Sequence, residues 1–562
     1  MIGNGFRNCL DMTMARRGTL KLLLQVLVVV ALGRGAACVQ PHSQSGAPRH
    51  HLVVLHTNDS HGHPVKFSYS GAPDVGGLPA RATLVRKVRA ENENVLVLDA
   101  GDLNTGRAES TFFKARPDLE GYNAVGYDAL TLGNHEFDNP LETLNEQMNL
   151  ATFPFLCANI KTREGRSLAR PYVIKEFKGF KVAIFGLTTK ETERIGNPEH
   201  IKGLLIQDEV PIARKLVPKL RRKADLVIAL VHLGIYDSPR RGSKRLASEV
   251  AGIDLIVDGH SHTRLDAPLM VKHGASDWTT PIVQAWQWGL MIGRVDLRFG
   301  GGQATDLSFA TIPVNLKTVE KSPDGNAAYS LVGEEIPEDP RLVSALQGYV
   351  DRVDALLSER VGRAVGALSS KEGRSQESPL GDLVADATLW YTRHLAVDFA
   401  LQNAGGIRTD LPRGEISRKT IYEVLPFDNT VVVLALKGSD LEEMFQHISR
   451  LPEEAGGFPQ VSAGMSFTIN RVTGRCEDIR IRGNPLDPAR TYRIATNSYL
   501  AAGGDGYRMF LNAVDRYDSS TFLRDVFADY LTQLGGVVTP AVGHRITVIT
   551  NPRAYLSWRL AA

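Results

Sequence analysis

Cysteine is scarce: four residues in 562, too few for disulfides to hold so long a chain together. A long hydrophobic run is missing as well. The apolar stretch from Leu22 to Leu32, broken at Gln25, falls well short of the ~20 residues that a membrane helix needs. There is no internal repeat and no low-complexity tract. A content of 43% hydrophobic and 23% charged residues excludes wholesale disorder, a collagen and a coiled-coil rod. Charge of one sign is also lacking. The formal +3 belongs to residues 1–37, where Arg7, Arg16, Arg17, Lys21 and Arg34 face Asp11 alone; the remainder carries 60 basic and 61 acidic groups. Nothing global therefore points to a nucleic-acid polymer as partner. The length exceeds one typical core, so two or more domains are expected.

What is present begins with an export signal. Arg16, Arg17 and Lys21 precede the apolar run, the small residues Gly35, Ala36 and Ala37 follow it, and Cys38 comes next. Residues 1–37 are read as a signal peptide and 38–50 as a polar tether, which makes the protein exported, periplasmic or held in the cell envelope. Small residues before a cysteine also resemble a bacterial lipoprotein box, in which Cys38 would carry a lipid and attach the chain to a membrane. Gly35 stands where that box usually has Leu. With Cys9 lost in the signal, Cys157 and Cys476 are expected as two buried thiols.

From His51 the pattern changes to short apolar runs that end in polar clusters: HLVVLHTNDSHGH, NVLVLDAGDLNTG, DALTLGNHEFDN, KVAIFGLTTK, ADLVIALVHLG and GIDLIVDGHSH. Each run has the length and branching of a strand buried on both faces. Helical patterns over Leu78–Ala90 and Asp208–Lys223 lie between them, so the segment reads as a layered α/β domain. After about residue 315 a loop-like stretch leads into an amphipathic helix from Pro340 to Val361. A second α/β unit follows, with GDLVADATLWYTRHLAVDFALQNAGGIR and DNTVVVLALKGSDLEEMFQHI as its helix and strand patterns. The expected division is 51–315, a linker and hinge helix over 316–361, and 362–552.

The polar clusters share one chemistry. Asp59 and His61, Asp102, Asn134 with His135 and Asp138, His232, and His260 with His262 all follow strands, beside glycines. Open α/β sheets place ligands at such strand ends. One D-x-H is weak evidence, because a lone Asp or His after a strand is most often just capped or solvated. Several together gather nitrogen and oxygen donors along one sheet edge. Mixed imidazole and carboxylate suits Zn, Mn, Co or Fe better than Ca or Mg, and the lack of cysteine argues against a structural zinc site.

The ordered set D-x-H, G-D, G-N-H-E-x-D, H and G-H-x-H resembles the signature of the calcineurin-like metallophosphoesterases. HTNDSHGH is similar to the opening of the secreted 5′-nucleotidase and UDP-sugar hydrolase family, and the likeness continues through NAGGIR, PFDN and AAGGDGY, over roughly residues 51–550. The resemblance implies a four-layer α/β sandwich followed by a C-terminal α/β substrate-binding domain. It implies two divalent metal ions (Zn, Mn or Co): one held by Asp59, His61 and His262, the other by Asn134, His232 and His260, with Asp102 between them. Some members carry Gln where this chain has His262. It makes His135 the catalytic histidine, held by Asp138. Two such ions clamp a phosphate and lower the pKa of a bound water, whose hydroxide attacks phosphorus in line with the leaving oxygen.

For the second domain the resemblance implies that Phe427 and Tyr499 sandwich a base, that Asp505 holds ribose hydroxyls, and that Arg374 and Arg408 grip phosphate. Asn403 and Asn429 lie in the same motifs. Tyr499 stands where close relatives often have Phe. Ser370, four residues before Arg374, stands where some members have another Arg, and its lack of charge favours monophosphates over diphosphates. The activity expected is release of phosphate from nucleoside 5′-monophosphates by a monomer, in nucleoside salvage. The alternatives are a UDP-sugar diphosphatase or 2′,3′-cyclic-nucleotide phosphodiesterase on the same site, and, more distantly, a non-catalytic surface lipoprotein that binds nucleotides or host molecules. Metals and base clamp sit in different domains, so the two must close over one nucleotide, with the linker helix as hinge.

Overall fold

The computed structural model describes residues 50–69, 72–236, 238, 241–300, 303–321 and 327–551. The signal peptide, Cys38 and nearly all of the tether lie outside the described residues. Among those described, no helix is long and apolar enough to cross a membrane.

The first domain is built on two six-stranded sheets. One runs Gln303–Pro313, Met291–Gly300, His50–Thr57, Val95–Asp99, Ala129–Thr131, Phe155–Leu156; its last four strands are parallel. The other runs Leu269–Lys272, Thr279–Val283, Leu255–Val257, Leu226–His232, Phe180–Thr188, Tyr172–Phe177, parallel through its four middle strands. Apolar side chains of both sheets, among them Leu52, Leu98, Ile184 and Leu230, meet face to face. Helices Leu78–Glu91, Arg116–Val125 and Leu141–Leu150 cover the outer face of the first sheet, and Glu209–Arg221 and Gly242–Glu249 that of the second. The result is a four-layer sandwich. Burial on both faces explains the unbroken apolar runs: all seven residues of Leu226–His232 are buried. The six runs divide three and three between the sheets, rather than lining the edge of one.

Asp339 caps the linker helix, accepting from the Arg341 amide at 2.9 Å. The helix spans Pro340–Leu357 and stops short of Val361, which lies in the strand Arg360–Ala364. Leu342, Leu346 and Tyr349 pack into the first domain, so the helix is fixed to it, and the chain passes to the second domain at Ser358–Glu359.

The second domain has a five-stranded sheet, Pro459–Val461, Phe399–Asn403, Thr491–Asn497, Thr430–Lys437, Asp515–Phe522, flanked by helices Pro379–Tyr391, Gly438–Arg450 and Leu523–Gln533, and a smaller four-stranded sheet. Ion pairs join the domains: Arg107–Glu423 at 3.0 Å, and Lys114–Asp428 and Lys419–Glu109, each at 2.6 Å. Cys157 is buried and Cys476 half-buried, both as free thiols.

Candidate dimetal active site

Level strand ends bring the polar clusters together. Thr57 pairs with Asp99 in one sheet and Thr188 with His232 in the other, so the following residues emerge at one end of the sandwich. Three groups of donor atoms converge there: Asp59, His61 and His262; His61, Asp102 and His135; Asp102, His232 and His260. Asp102 belongs to two of them, with Oδ2 at 3.0 Å from His232 Nε2 and 3.8 Å from His61 Nε2. Asn134 Oδ1 is buried beside them, and the His135 amide donates to Asp102 Oδ1 at 2.8 Å.

The loops that carry these residues are strained. Asp59, His61, Asp102, His260 and His262 all have left-handed backbones, with φ between 42° and 79°. A non-glycine residue in that region costs on the order of 1 kcal/mol and persists where its surroundings fix it. Buried carboxylates do the fixing. Glu136 accepts the amides of Leu103 at 2.8 Å, Asp102 at 3.0 Å and Gly133 at 2.6 Å, tying the Asp102 loop to the Asn134 loop. Burial, with the Asp102 charge beside it, pushes its carboxyl up to about 7. Asp258 likewise gathers the amides of Leu233, Gly234 and Gly259. A side chain at Gly259 has no room: its Cβ would lie 2.7 Å from the Ala100 carbonyl.

The donor set fits two cations. His61 Nδ1 donates to the Asn104 carbonyl at 3.1 Å and His232 Nδ1 to the Ala100 carbonyl at 2.7 Å, so each ring turns its Nε2 inward. At His232 burial pulls the pKa down, but the Asp102 carboxylate outweighs it and raises it to about 10, holding a proton where a cation would sit. His262 Nδ1 bonds Gln287 Oε1 in the same way. The Nε2 atoms of His61 and His262 then face each other at 3.1 Å, with Asp59 Oδ1 3.3 Å from His262 Nε2. Two lone pairs and a carboxylate repel unless a cation lies among them. Burial, with Arg408 and His135 nearby, holds the His61 imidazolium pKa well below its usual value, so the ring stays neutral. Asn134 Oδ1 is buried without a hydrogen-bond partner, again as a ligand would be, and His232 Nε2 is buried facing the Asp102 carboxylate at 3.0 Å.

His135 stands at the edge of this cluster. Its Nδ1 bonds Asp138 Oδ2 at 2.7 Å, which leaves Nε2 outward. Burial pulls its pKa down, but the Asp138 and Asp102 carboxylates outweigh that and raise it. The ring is stacked on Phe427 of the second domain, with centroids 6.0 Å apart. Arg408 lies 5.8 Å from the Phe427 ring, and burial together with the Arg374 charge pulls its guanidinium down to about 10. Two half-buried guanidinium groups that repel each other suit a dianion.

The rest of the second-domain set lies close by. Asn403 Nδ2 donates to Asp505 Oδ2 at 2.8 Å, and the Tyr499 hydroxyl bonds Asp505 Oδ1 at 3.0 Å. Asn429 is buried behind the Phe427 turn, its Oδ1 3.5 Å from Ser498 Oγ. Glu136 and Gln287 are the supports that sequence reasoning passes over. The first sits inside G-N-H-E-x-D, whose alternation of ligands and bystanders was its only signal; the second follows His262 by 25 residues with no signal at all.

Profiles of two families match. Calcineurin-like phosphoesterase covers residues 52–264, and 5′-nucleotidase, C-terminal domain, covers 360–512. Protein UshA of Escherichia coli K12 is 35% identical over 486 residues, 81% of this chain and 86% of that protein. A 5′-nucleotidase of Vibrio cholerae serotype O1 is 34% identical over 91% of this chain and 95% of its own. The chain belongs to the 5′-nucleotidase family of calcineurin-like phosphoesterases. Among solved structures, a 5′-nucleotidase precursor from Thermus thermophilus superposes with a TM-score of 0.78 at 32% identity, over 90% of this chain and all of that one. The protein is thus a metal-dependent phosphoric-ester hydrolase acting on nucleotides, and the centre in this family is dinuclear and divalent.

Proposed function

We propose that the protein hydrolyses nucleoside 5′-monophosphates, with phosphate at the first-domain cluster and the nucleoside on the second domain. The observation that carries this reading is the stack of Phe427 on His135, centroids 6.0 Å apart, which sets a flat apolar face within one nucleotide's length of the metal-binding groups. Asp59, His61 and His262 would hold one ion, Asn134, His232 and His260 the other, and Asp102 would lie between them. Two such ions supply charge neutralisation at the phosphate oxygens and an acidified water. His135, its Nδ1 fixed on Asp138, offers a proton from Nε2 to the leaving ribose oxygen. Arg374 and Arg408 add positive charge, Phe427 and Tyr499 take the base, and Asp505, held by Asn403, accepts from ribose hydroxyls.

Ser370 supports a monophosphate over a diphosphate sugar. Its Oγ is engaged by Asp410 at 3.0 Å, and it offers no charge to a second phosphate. Opening for exchange would turn the chain at Ser358–Glu359, just beyond the helix anchored on the first domain. The basic and apolar leader supports export with residues 1–37 as signal peptide, and Cys38 supports lipid attachment in the cell envelope.

The test is phosphate release by the metal-stripped protein reloaded with Mn, Co or Zn, on AMP, UDP-glucose and 2′,3′-cyclic AMP side by side. Metal-dependent release that is fastest from AMP is expected. Faster turnover of UDP-glucose would overturn the substrate, and silence on all three with metals bound would favour a binding protein.

A further inference from the structure

The stretch Ala285–Gly289 lies beyond both sheets' ligand loops, yet it holds one of them. We infer that Gln287 is a positioning residue that presents His262 Nε2 to the metal position shared with Asp59 and His61. This rests on the two-metal reading above.

His262 is the ligand candidate that most needs support. Its side chain is 30% exposed, against 2% for His61 and 0% for Asp59, and its backbone is left-handed at φ 49°. A half-exposed imidazole rotates freely about its side-chain torsions and offers either nitrogen, so an ion binds more weakly unless something fixes ring and tautomer. Gln287 Oε1, bonded to Nδ1, does both: an amide oxygen only accepts, so the proton stays on Nδ1 and Nε2 keeps its lone pair.

The support is itself rigidly held. Trp286 and Trp288, on either side of Gln287, both have left-handed backbones, φ 67° and 58°. For a bulky side chain this is a strained conformation, kept only where contacts dictate it. Trp288 donates its amide to the Asp59 carbonyl at 2.7 Å and is stacked on His63 with centroids 5.0 Å apart. Trp286 donates to the Thr263 carbonyl at 3.1 Å, accepts from Asn58 Nδ2, and meets Tyr69 edge-on. At the far end Gly289, at φ 63°, packs on the guanidinium of Arg81 so closely that any side chain would collide with it. Arg81 is fully buried and donates to Ser60 Oγ at 3.2 Å, between Asp59 and His61. The stretch therefore grips the Asp59–His61 loop and the His262 loop together, and Gln287 is its contact with the reacting end.

The test is calorimetric titration of the metal-free full chain with Mn²⁺. Wild type should bind two ions. In Q287L one should bind unchanged and the other about 10- to 100-fold more weakly, while Q287E, which keeps an acceptor, should restore it. In an H262Q background, where no imidazole remains to be oriented, adding Q287L should change nothing further. Should Q287L fail to fold, ¹⁵N spectra of the wild type loaded with diamagnetic Zn²⁺ decide: His262, assigned by its loss in H262Q, should carry its proton on Nδ1, and a proton on Nε2 would overturn the inference. Two unchanged affinities in Q287L would overturn it equally. A wild type that binds fewer than two ions would remove the two-metal reading, and the role of Gln287 with it.

Discussion

The Tyr499 hydroxyl lies 3.0 Å from the Ile195 carbonyl, so a residue of the proposed base clamp is hydrogen-bonded to the other domain. The same oxygen accepts the Asp505 amide at 3.0 Å and stands 3.0 Å from Asp505 Oδ1. Burial and the Asp505 charge keep the phenol protonated, and its one proton serves either Ile195 or Asp505. Tyr499→Phe keeps the ring and loses these bonds. One net hydrogen bond is worth about 0.5–1.5 kcal/mol, so kcat/KM for AMP should fall about 2- to 10-fold. Steady-state kinetics check this, and an unchanged value would mean that the hydroxyl does not hold the domains in their working arrangement.

His135 contacts Phe427 and Asp138 and lies outside the proposed ligand set. His135→Ala should lower kcat by about 10²- to 10⁴-fold and leave the bound metal at wild-type level, as measured by elemental analysis of the purified variant. Asp138→Asn should cost less, because the ring keeps a partner for Nδ1 while losing the charge that raises its pKa. Loss of metal from His135→Ala would make the residue a ligand instead.

Much of this site is legible in the sequence, and the reason is local. Parallel strands buried on both faces print unbroken apolar runs, and the next polar residues, Asp59 or His232 for example, stand at the ligand end of the sheet whatever the rest of the chain does. The division of the runs between two sheets is not legible, since HLVVLHT and DLVIALVH look alike and only packing sorts them. The linker helix ends at Leu357 although its amphipathic pattern runs on to Val361, because Gly362–Ala364 pair with Gly414–Ile416, fifty residues away. Gln287 has no local signature: its meaning comes from a hydrogen bond to a loop on another strand.

The interdomain ion pairs should differ sharply in value. Lys114 and Asp428 are about 40% exposed on both sides, and such pairs contribute about 0–1 kcal/mol. Glu109 is 2% exposed and meets Lys419 at 2.6 Å. Removing that amine leaves the buried carboxylate with only Arg107 Nε, 3.7 Å away. A lost buried partner costs about 3–5 kcal/mol when the site is fully desolvated, and less here, where Arg107 remains and Lys419 is 21% exposed. Thermal unfolding should therefore show Lys114→Ala near wild type and Lys419→Ala clearly lower. Equal midpoints would mean that the Glu109 carboxylate finds water once Lys419 is gone.

Asp118 should set part of the pH dependence of stability. It is 1% exposed at the start of the helix Arg116–Val125, its Oδ2 has no hydrogen-bond partner, and burial pushes its carboxyl up to about 7. In the unfolded chain the same group titrates near 3.9. Between those values the folded protein keeps a proton that the unfolded chain has released, so this group's stabilising contribution is complete below about pH 4 and fades as pH rises through about 7. Above that, a charge without compensation costs on the order of a few kcal/mol. Asp118→Asn removes the titration and keeps the shape. Its melting temperature relative to wild type should climb from pH 5 to pH 8, and a difference that stays flat over that range would show that the Asp118 carboxylate is already ionised at pH 5.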